Sequence, residues 1–295
     1  MKQLILVAVA AMLTAALISS TMKQRAPQIL TPECYISCFE SSMLTEFQKE
    51  AATKEFTNFH ITPLPFVYAD PKGAMVSFKT PDGQQGAAYS IPAKKKSNKY
   101  LLVIQEWYGL NDYIRAEADW YWDELDKEAN VLALDLYDGK VASTPDSASK
   151  FVRAVNNDRL SNIIKGAIEY AGKDAEIYTV GWCFGGAWSL QASIIAGAQG
   201  KGCVMFYGRP ETNVDRLKLL NADVIGFFGN KDKSPSPEQV DAFVKNMEAA
   251  GKKLEVHWYD AGHGFANPSN PNYDKEATAD AKKKAIEFLQ KRIDD

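Results

Sequence analysis

The chain has 295 residues, 46% of them apolar, and a formal charge of −3 from 34 Lys and Arg against 37 Asp and Glu. These values exclude a disordered or collagen-like chain and leave room for one large domain or two ordinary ones, domains commonly running about 100–200 residues. Near-neutral charge argues against a nucleic-acid partner: the lysine clusters Lys94–Lys96 and Lys282–Lys284 carry no interleaved aromatics and read as solvated surface.

Met1-Lys2 followed by the uncharged apolar run Leu4–Ile18 has the pattern of a secretory leader. The run is short for a membrane span, which needs roughly 20 apolar residues. Residues 1–20 are therefore expected to be a signal peptide, and the mature chain to be periplasmic or secreted with no stable span after cleavage. An uncleaved anchor is the alternative, because Ser19, Ser20 and Thr21 are small but form no marked cleavage triplet. Residues 21–71 show no clear periodicity and read as an N-terminal extension, a cap or linker. Four cysteines are too few for a disulfide scaffold. Cys34 and Cys38, four apart, form either a local bridge or two independent thiols.

The regular pattern occupies residues 72–295, one domain. Met75–Phe78 and Ala87–Ile91 flank Pro81-Asp82-Gly83 and predict an antiparallel hairpin. Strands are then predicted at Tyr100–Gln105, Val131–Asp135, Glu176–Gly181, Cys203–Tyr207, Val224–Phe228 and Leu254–Tyr259. Helical patterns lie near 113–128, 146–171, 185–196, 237–250 and 277–292. This alternation predicts an α/β fold whose mostly parallel central sheet carries helices on both faces.

Val180-Gly181-Trp182-Cys183-Phe184-Gly185-Gly186 is a strand running into a helix through G-x-C-x-G-G, the pattern of a nucleophile elbow with cysteine for serine. Small residues at Gly181 and Gly185 let the backbones pass, and the helix N-terminus behind the sulfur favours a thiolate and a developing oxyanion. A base and an orienting acid should follow in the order nucleophile, acid, histidine. Of the three histidines, His263 lies between glycines in the loop after the last strand, His257 lies inside that strand, and His60 precedes the regular fold and reads as a surface residue. Asp232 follows the preceding strand, whereas Asp223 comes before it, at the opposite edge. Cys203 reads as a core hydrophobe. Glu106 is a charge at a buried strand end, which needs a functional reason. The turn after it is where Trp107 N–H would join Phe184 N–H as an oxyanion hole. No metal or cofactor motif stands at ligand spacing, so cofactor-free covalent catalysis is expected.

From about residue 72 onward the chain resembles the dienelactone hydrolase family of α/β-hydrolases. The resemblance rests on Gln105-Glu106-Trp107-Tyr108-Gly109, Asp135-Leu136-Tyr137, Gly181-Trp182-Cys183-Phe184-Gly185-Gly186, Phe206-Tyr207-Gly208, His257-Trp258-Tyr259 and Ala261-Gly262-His263-Gly264-Phe265-Ala266. It implies Cys183 as nucleophile, His263 as base, Asp232 as orienter, and Glu106 as the residue that holds the resting thiol and helps ionise it. Family members acting on dienelactones bind the substrate carboxylate with arginines, one of them four residues after the histidine; here that position is Asn267. Arg153 is the nearest arginine to the other expected place.

The sequence thus reads as an exported hydrolase of small esters or lactones working through an acyl-cysteine, with Tyr108, Tyr137, Trp182, Tyr207 and Asn267 as substrate-binding residues. A binding or surface protein that keeps the fold is the alternative, and a thiol redox protein using Cys34 and Cys38 a third. The sequence carries no signature of oligomeric state.

Overall fold

The computed structural model describes residues 42–294. The leader pattern and the Cys34–Cys38 pair lie outside the described residues. Eight described strands form one sheet: β1 Ala74–Lys79, β2 Gln85–Ile91, β3 Lys99–Ile104, β4 Asn130–Leu134, β5 Glu176–Trp182, β6 Gly200–Phe206, β7 Asp223–Gly229 and β8 Leu254–Tyr259. Their order is β1-β2-β4-β3-β5-β6-β7-β8. The first two pairings in that order are antiparallel and the remainder parallel, so the predicted hairpin start and parallel body both stand. Consecutive residues are buried along β3 to β7, the pattern of strands covered on both faces.

The helices are α1 Ser42–Ala51, α2 Lys54–Phe59, α3 Asp112–Glu124, α4 Pro145–Ala154, α5 Asn157–Ala171, α6 Phe184–Ala196, α7 Val214–Leu217, α8 Pro237–Ala249 and α9 Lys275–Ile293. The single helix expected over 146–171 is two. Val155 is extended, and the side chain of Asn156 accepts from Arg159 N–H at 2.7 Å, capping a new helix.

Residues 42–71, within the stretch read as a cap or linker, fold against the body. Met43, Leu44, Phe47 and Ala51 of α1 are buried in the main core. Gln48 Nε2 donates to the carbonyls of Val152 and Val155, each at 2.9 Å, and Ser149 Oγ donates to Ala51 O at 2.6 Å, fixing α1 to the end of α4. Beyond α2 the chain runs as an extended strap. Tyr108 and Tyr113 donate their hydroxyls to the carbonyls of Ile61 and Leu64, and the buried Asp119 accepts from Tyr68 Oη, Lys72 N–H and Tyr89 Oη at 2.7–2.9 Å. A buried carboxylate with three donors keeps its charge satisfied, and here it ties the strap to α3 and β2.

Candidate active site

The parallel registers bring the carboxyl ends of β3, β5, β6, β7 and β8 together, pairing Ile104 with Gly181, Trp182 with Phe206, Phe206 with Phe227, and Gly229 with Tyr259. Each predicted chemical group hangs from one of these ends, the position at which parallel α/β sheets present their sites. Cys183 sits between β5 and α6 with φ 55° and ψ −117°, a strained conformation for a residue with a Cβ. The turn is possible because of its flanking glycines: a Cβ on Gly181 would overlap the Gly185 carbonyl, and one on Gly185 the carbonyls of Ile104 and Gln105.

Cys183 Sγ lies 3.2 Å from His263 Nε2, and His263 Nδ1 lies 2.8 Å from Asp232 Oδ2. Asp232 is buried, and its other oxygen accepts from Ser234 N–H at 2.9 Å. The structure therefore brings the three predicted groups into one chain of contacts. Burial pushes the Cys183 thiol up, against the pull of His263 and of the Phe184 N–H on the sulfur. Burial also works to lower the His263 pKa, but the Asp232 carboxylate and the Cys183 sulfur outweigh it and hold the imidazole well above its ordinary value. The Asp232 contact fixes the tautomer that leaves Nε2 facing the sulfur. Phe184 opens α6 beside the sulfur, and Trp107 is wholly buried in the turn after β3.

Glu106 is placed differently from what the resemblance implies. The thiol is turned to His263, while Glu106 Oε2 accepts from Asn267 Nδ2 at 2.6 Å and Oε1 from Tyr207 Oη at 3.3 Å. The amide at the position of the family's arginine thus occupies the carboxylate. Asn267 Oδ1 in turn accepts from both Ser269 N–H and Ser269 Oγ at 2.8 Å. Burial raises the Glu106 pKa to about 7.

Among the expected substrate-binding residues, Tyr108, Trp182 and Asn267 line a small pocket of about 40 Å3 with Glu106. Tyr207 stands between Glu106 and His263, its ring 5.1 Å from the imidazole. Tyr137 packs behind Phe184, at 5.6 Å, and also borders a second cavity with Phe151 and Arg159, since β4 ends one strand beyond β3 from the nucleophile. Arg153 is exposed and donates Nε to Ser149 O of its own helix at 3.3 Å. His257 is a sheet residue paired with Glu255, Asp223 binds Arg292 at the far edge, and Cys203 is buried in β6.

The expectation of a surface position for His60 is overturned. It is only 7% exposed, stacked on Phe56 at 4.2 Å and packed against Trp107 at 4.5 Å, with its ring 5.4 Å from that of His263. Burial, reinforced by the His263 charge, drives its pKa down to about 3. The cause is the docking of α1 and α2. Phe47 packs on Phe184 at 5.6 Å and Phe56 on Trp107 at 5.2 Å, so this segment roofs the nucleophile, which is 3% exposed. A cavity of about 500 Å3 opens beside the roof, lined by Glu50, Phe56, His60, Lys231, Asp232 and His263 among others. The one signal in the sequence for this roof is the spacing of Met43, Leu44, Phe47 and Ala51, an i, i+1, i+4, i+8 apolar face.

The sequence profile of the Dienelactone hydrolase family matches residues 86–293. The chain is 28% identical over 224 residues to a carboxymethylenebutenolidase of a Pseudomonas species, an alignment covering 71% of this chain and 91% of that one. It is 26% identical over 232 residues to carboxymethylenebutenolidase 1 of Cupriavidus pinatubonensis, covering 72% and 95%. A solved dienelactone hydrolase-like promiscuous phosphotriesterase from metagenomic libraries superposes with a TM-score of 0.62 at 18% identity, covering 74% of this chain and 98% of that one. The fold is that of the α/β-hydrolases. The roof, residues 42–71, lies before the matched region.

Proposed function

The chain belongs to the dienelactone hydrolase family and is a hydrolase of ester or lactone bonds; from that premise we propose that it works through an acyl-cysteine on Cys183. The observation that carries this reading is the contact chain from Cys183 Sγ to His263 Nε2 at 3.2 Å and from His263 Nδ1 to Asp232 at 2.8 Å. Cys183 sulfur attacks the carbonyl carbon and its proton passes to His263 Nε2, while the Phe184 and Trp107 N–H groups receive the oxyanion. The C–O bond breaks, and His263 returns the proton to the leaving alkoxide, which stays tethered when the substrate is a lactone. Water then attacks the thioester carbonyl, giving a proton to His263, and the sulfur departs as the acid is released. Asp232 holds the imidazole and stabilises its cation throughout. Glu106, on Asn267 and Tyr207, borders the small pocket beside Tyr108 and Trp182.

We further propose that the chain is exported, a reading supported by the run Leu4–Ile18. Intact mass of native material tests it: loss of roughly the first 20 residues is expected, and full-length chain in the cytosol overturns it.

The catalytic reading is tested with a panel of small esters, lactones and thioesters on wild type, Cys183→Ala, His263→Ala and the double variant. Each single change is expected to lower kcat by at least about a thousandfold, and the double to be little worse, because members of such a unit lose their effect together. Near wild-type turnover in Cys183→Ala rejects the assignment.

A further inference from the structure

His60 is not used by the mechanism above, yet its chemistry faces the reacting groups. His60 Nδ1 lies 2.8 Å from the Phe56 carbonyl. A carbonyl can only accept, so Nδ1 carries the proton and Nε2 carries a free lone pair. That Nε2 is buried with no hydrogen-bond partner among the described residues, a condition rare in native interiors that calls for an explanation. His60 and His263 each offer a ring nitrogen and Cys183 its sulfur, and the three ligand atoms lie within 4.8 Å of one another.

We propose that His60, Cys183 and His263 form a binding site for one zinc-class divalent cation, and that its occupation reversibly switches the hydrolase off. Two imidazole nitrogens and a thiolate with an open fourth position make a donor set suited to borderline-soft cations. Tetrahedral zinc, with Zn–N about 2.0 Å and Zn–S about 2.3 Å, needs donors about 3.3–3.8 Å apart. The Cys183–His263 pair stands at 3.2 Å and no two of the three ligand atoms are more than 4.8 Å apart, so the set closes with donor shifts of at most about 1.5 Å. Both rings also have the outer partner that orients metal-bound histidines, a carboxylate behind His263 and a backbone carbonyl behind His60. The cavity beside His60 and His263 supplies the way in.

Binding takes the sulfur lone pair and His263 Nε2, releases the thiol proton to solvent, and leaves neither nucleophile nor base. The binding half of this proposal stands on the geometry alone. The inhibition half rests on the acyl-cysteine reading.

The test titrates Co2+ into metal-free full-length protein, reading the sulfur-to-cobalt charge-transfer absorption, with Zn2+ as competitor and as inhibitor of ester hydrolysis. His60→Phe keeps a ring packed on Phe56 and Trp107 while removing the nitrogen; His60→Gln is a second variant, and near-ultraviolet circular dichroism reports whether each is folded. Wild type is expected to bind one Co2+ per chain with the thiolate band. In both variants the Co2+ affinity and the potency of Zn2+ inhibition should fall at least about tenfold, in the range seen when partners at metal sites are removed. A wild type without the band, or variants that bind within about twofold of it, overturn the site. Co2+ binding with the expected His60 dependence but no loss of hydrolysis in Cys183→Ala leaves the site standing and rejects the acyl-cysteine reading; Cys183-dependent hydrolysis without Co2+ binding does the reverse.

Discussion

At the scale of single residues, Glu106 carries a pH dependence whose sign can be worked out. Burial raises its folded pKa to about 7 from an ordinary value of 4.5. A carboxyl raised on folding contributes stability that is fully present below its unfolded pKa and lost as pH rises through the folded one. Glu106→Gln has no such loss, so its advantage over wild type should grow between about pH 4.5 and pH 7 and level off above, at about 3 kcal/mol. Denaturant melts of both proteins at about pH 5 and pH 8.5 measure it; a constant difference rejects the buried charge. Asn267 makes a second prediction. Its amide is committed to Glu106, Arg153 points outward, and each charge-assisted hydrogen bond to a substrate carboxylate is worth about 1.5–3 kcal/mol. Neutral lactones should therefore be turned over at least as well as carboxylated ones of similar reactivity; a preference for the carboxylate that disappears in Arg153→Ala counts against this. Cys183, Asp232 and His263 were legible in the sequence because a strained elbow demands glycines and the fold fixes their order along the chain. His60 was not, since its neighbours are set by how a distant segment docks.

At the scale of elements, the sheet announced itself through short β-rich runs between helical periods, and its strands shifted by only a residue or a few from expectation. What the pattern hid was interruption and docking. The 146–171 pattern is amphipathic throughout, yet the Asn156 cap divides it, and α1 read as no more than cap or linker because a ten-residue apolar face has little meaning until a partner surface is known. That partner includes Phe184 and the end of α4. Phe47→Ala removes the ring that seats α1 over the elbow. Large-to-small changes at such positions cost about 3–5 kcal/mol when fully coupled to the core. If about 2–3 kcal/mol of that falls on local opening, the open population rises roughly 30- to 160-fold. Alkylation of Cys183 by iodoacetamide should accelerate accordingly, with a loss of global stability at least as large. An unchanged rate would show that access to the thiol does not depend on the roof.

At the scale of the whole molecule, the family match begins at residue 86, but the folded body begins earlier. Residues 42–71 share the main core through Met43, Leu44, Phe47 and Ala51, and the strap is held by tyrosines and by Asp119 of α3. They cover ground that would otherwise be solvent-exposed apolar surface, including Phe184 and Trp107. Such a segment opens only by giving up that burial, so proteases that need an extended, detached chain should find it closed. Lys49 and Lys54 offer trypsin sites inside the segment, and Lys72 one at its end. Under limited digestion of the native protein, the resistant fragment is expected to retain residues 42–71 whatever is removed before them, and to lose activity only when that segment is cut. A stable, active fragment beginning at Gly73 would mean that the roof is dispensable, and would separate it from the chemistry it covers. Retention would join the position of His60 against His263 in placing the N-terminal segment at the active site: the shared fold supplies nucleophile, acid and base, and residues 42–71 pack over them through Phe47 and Phe56.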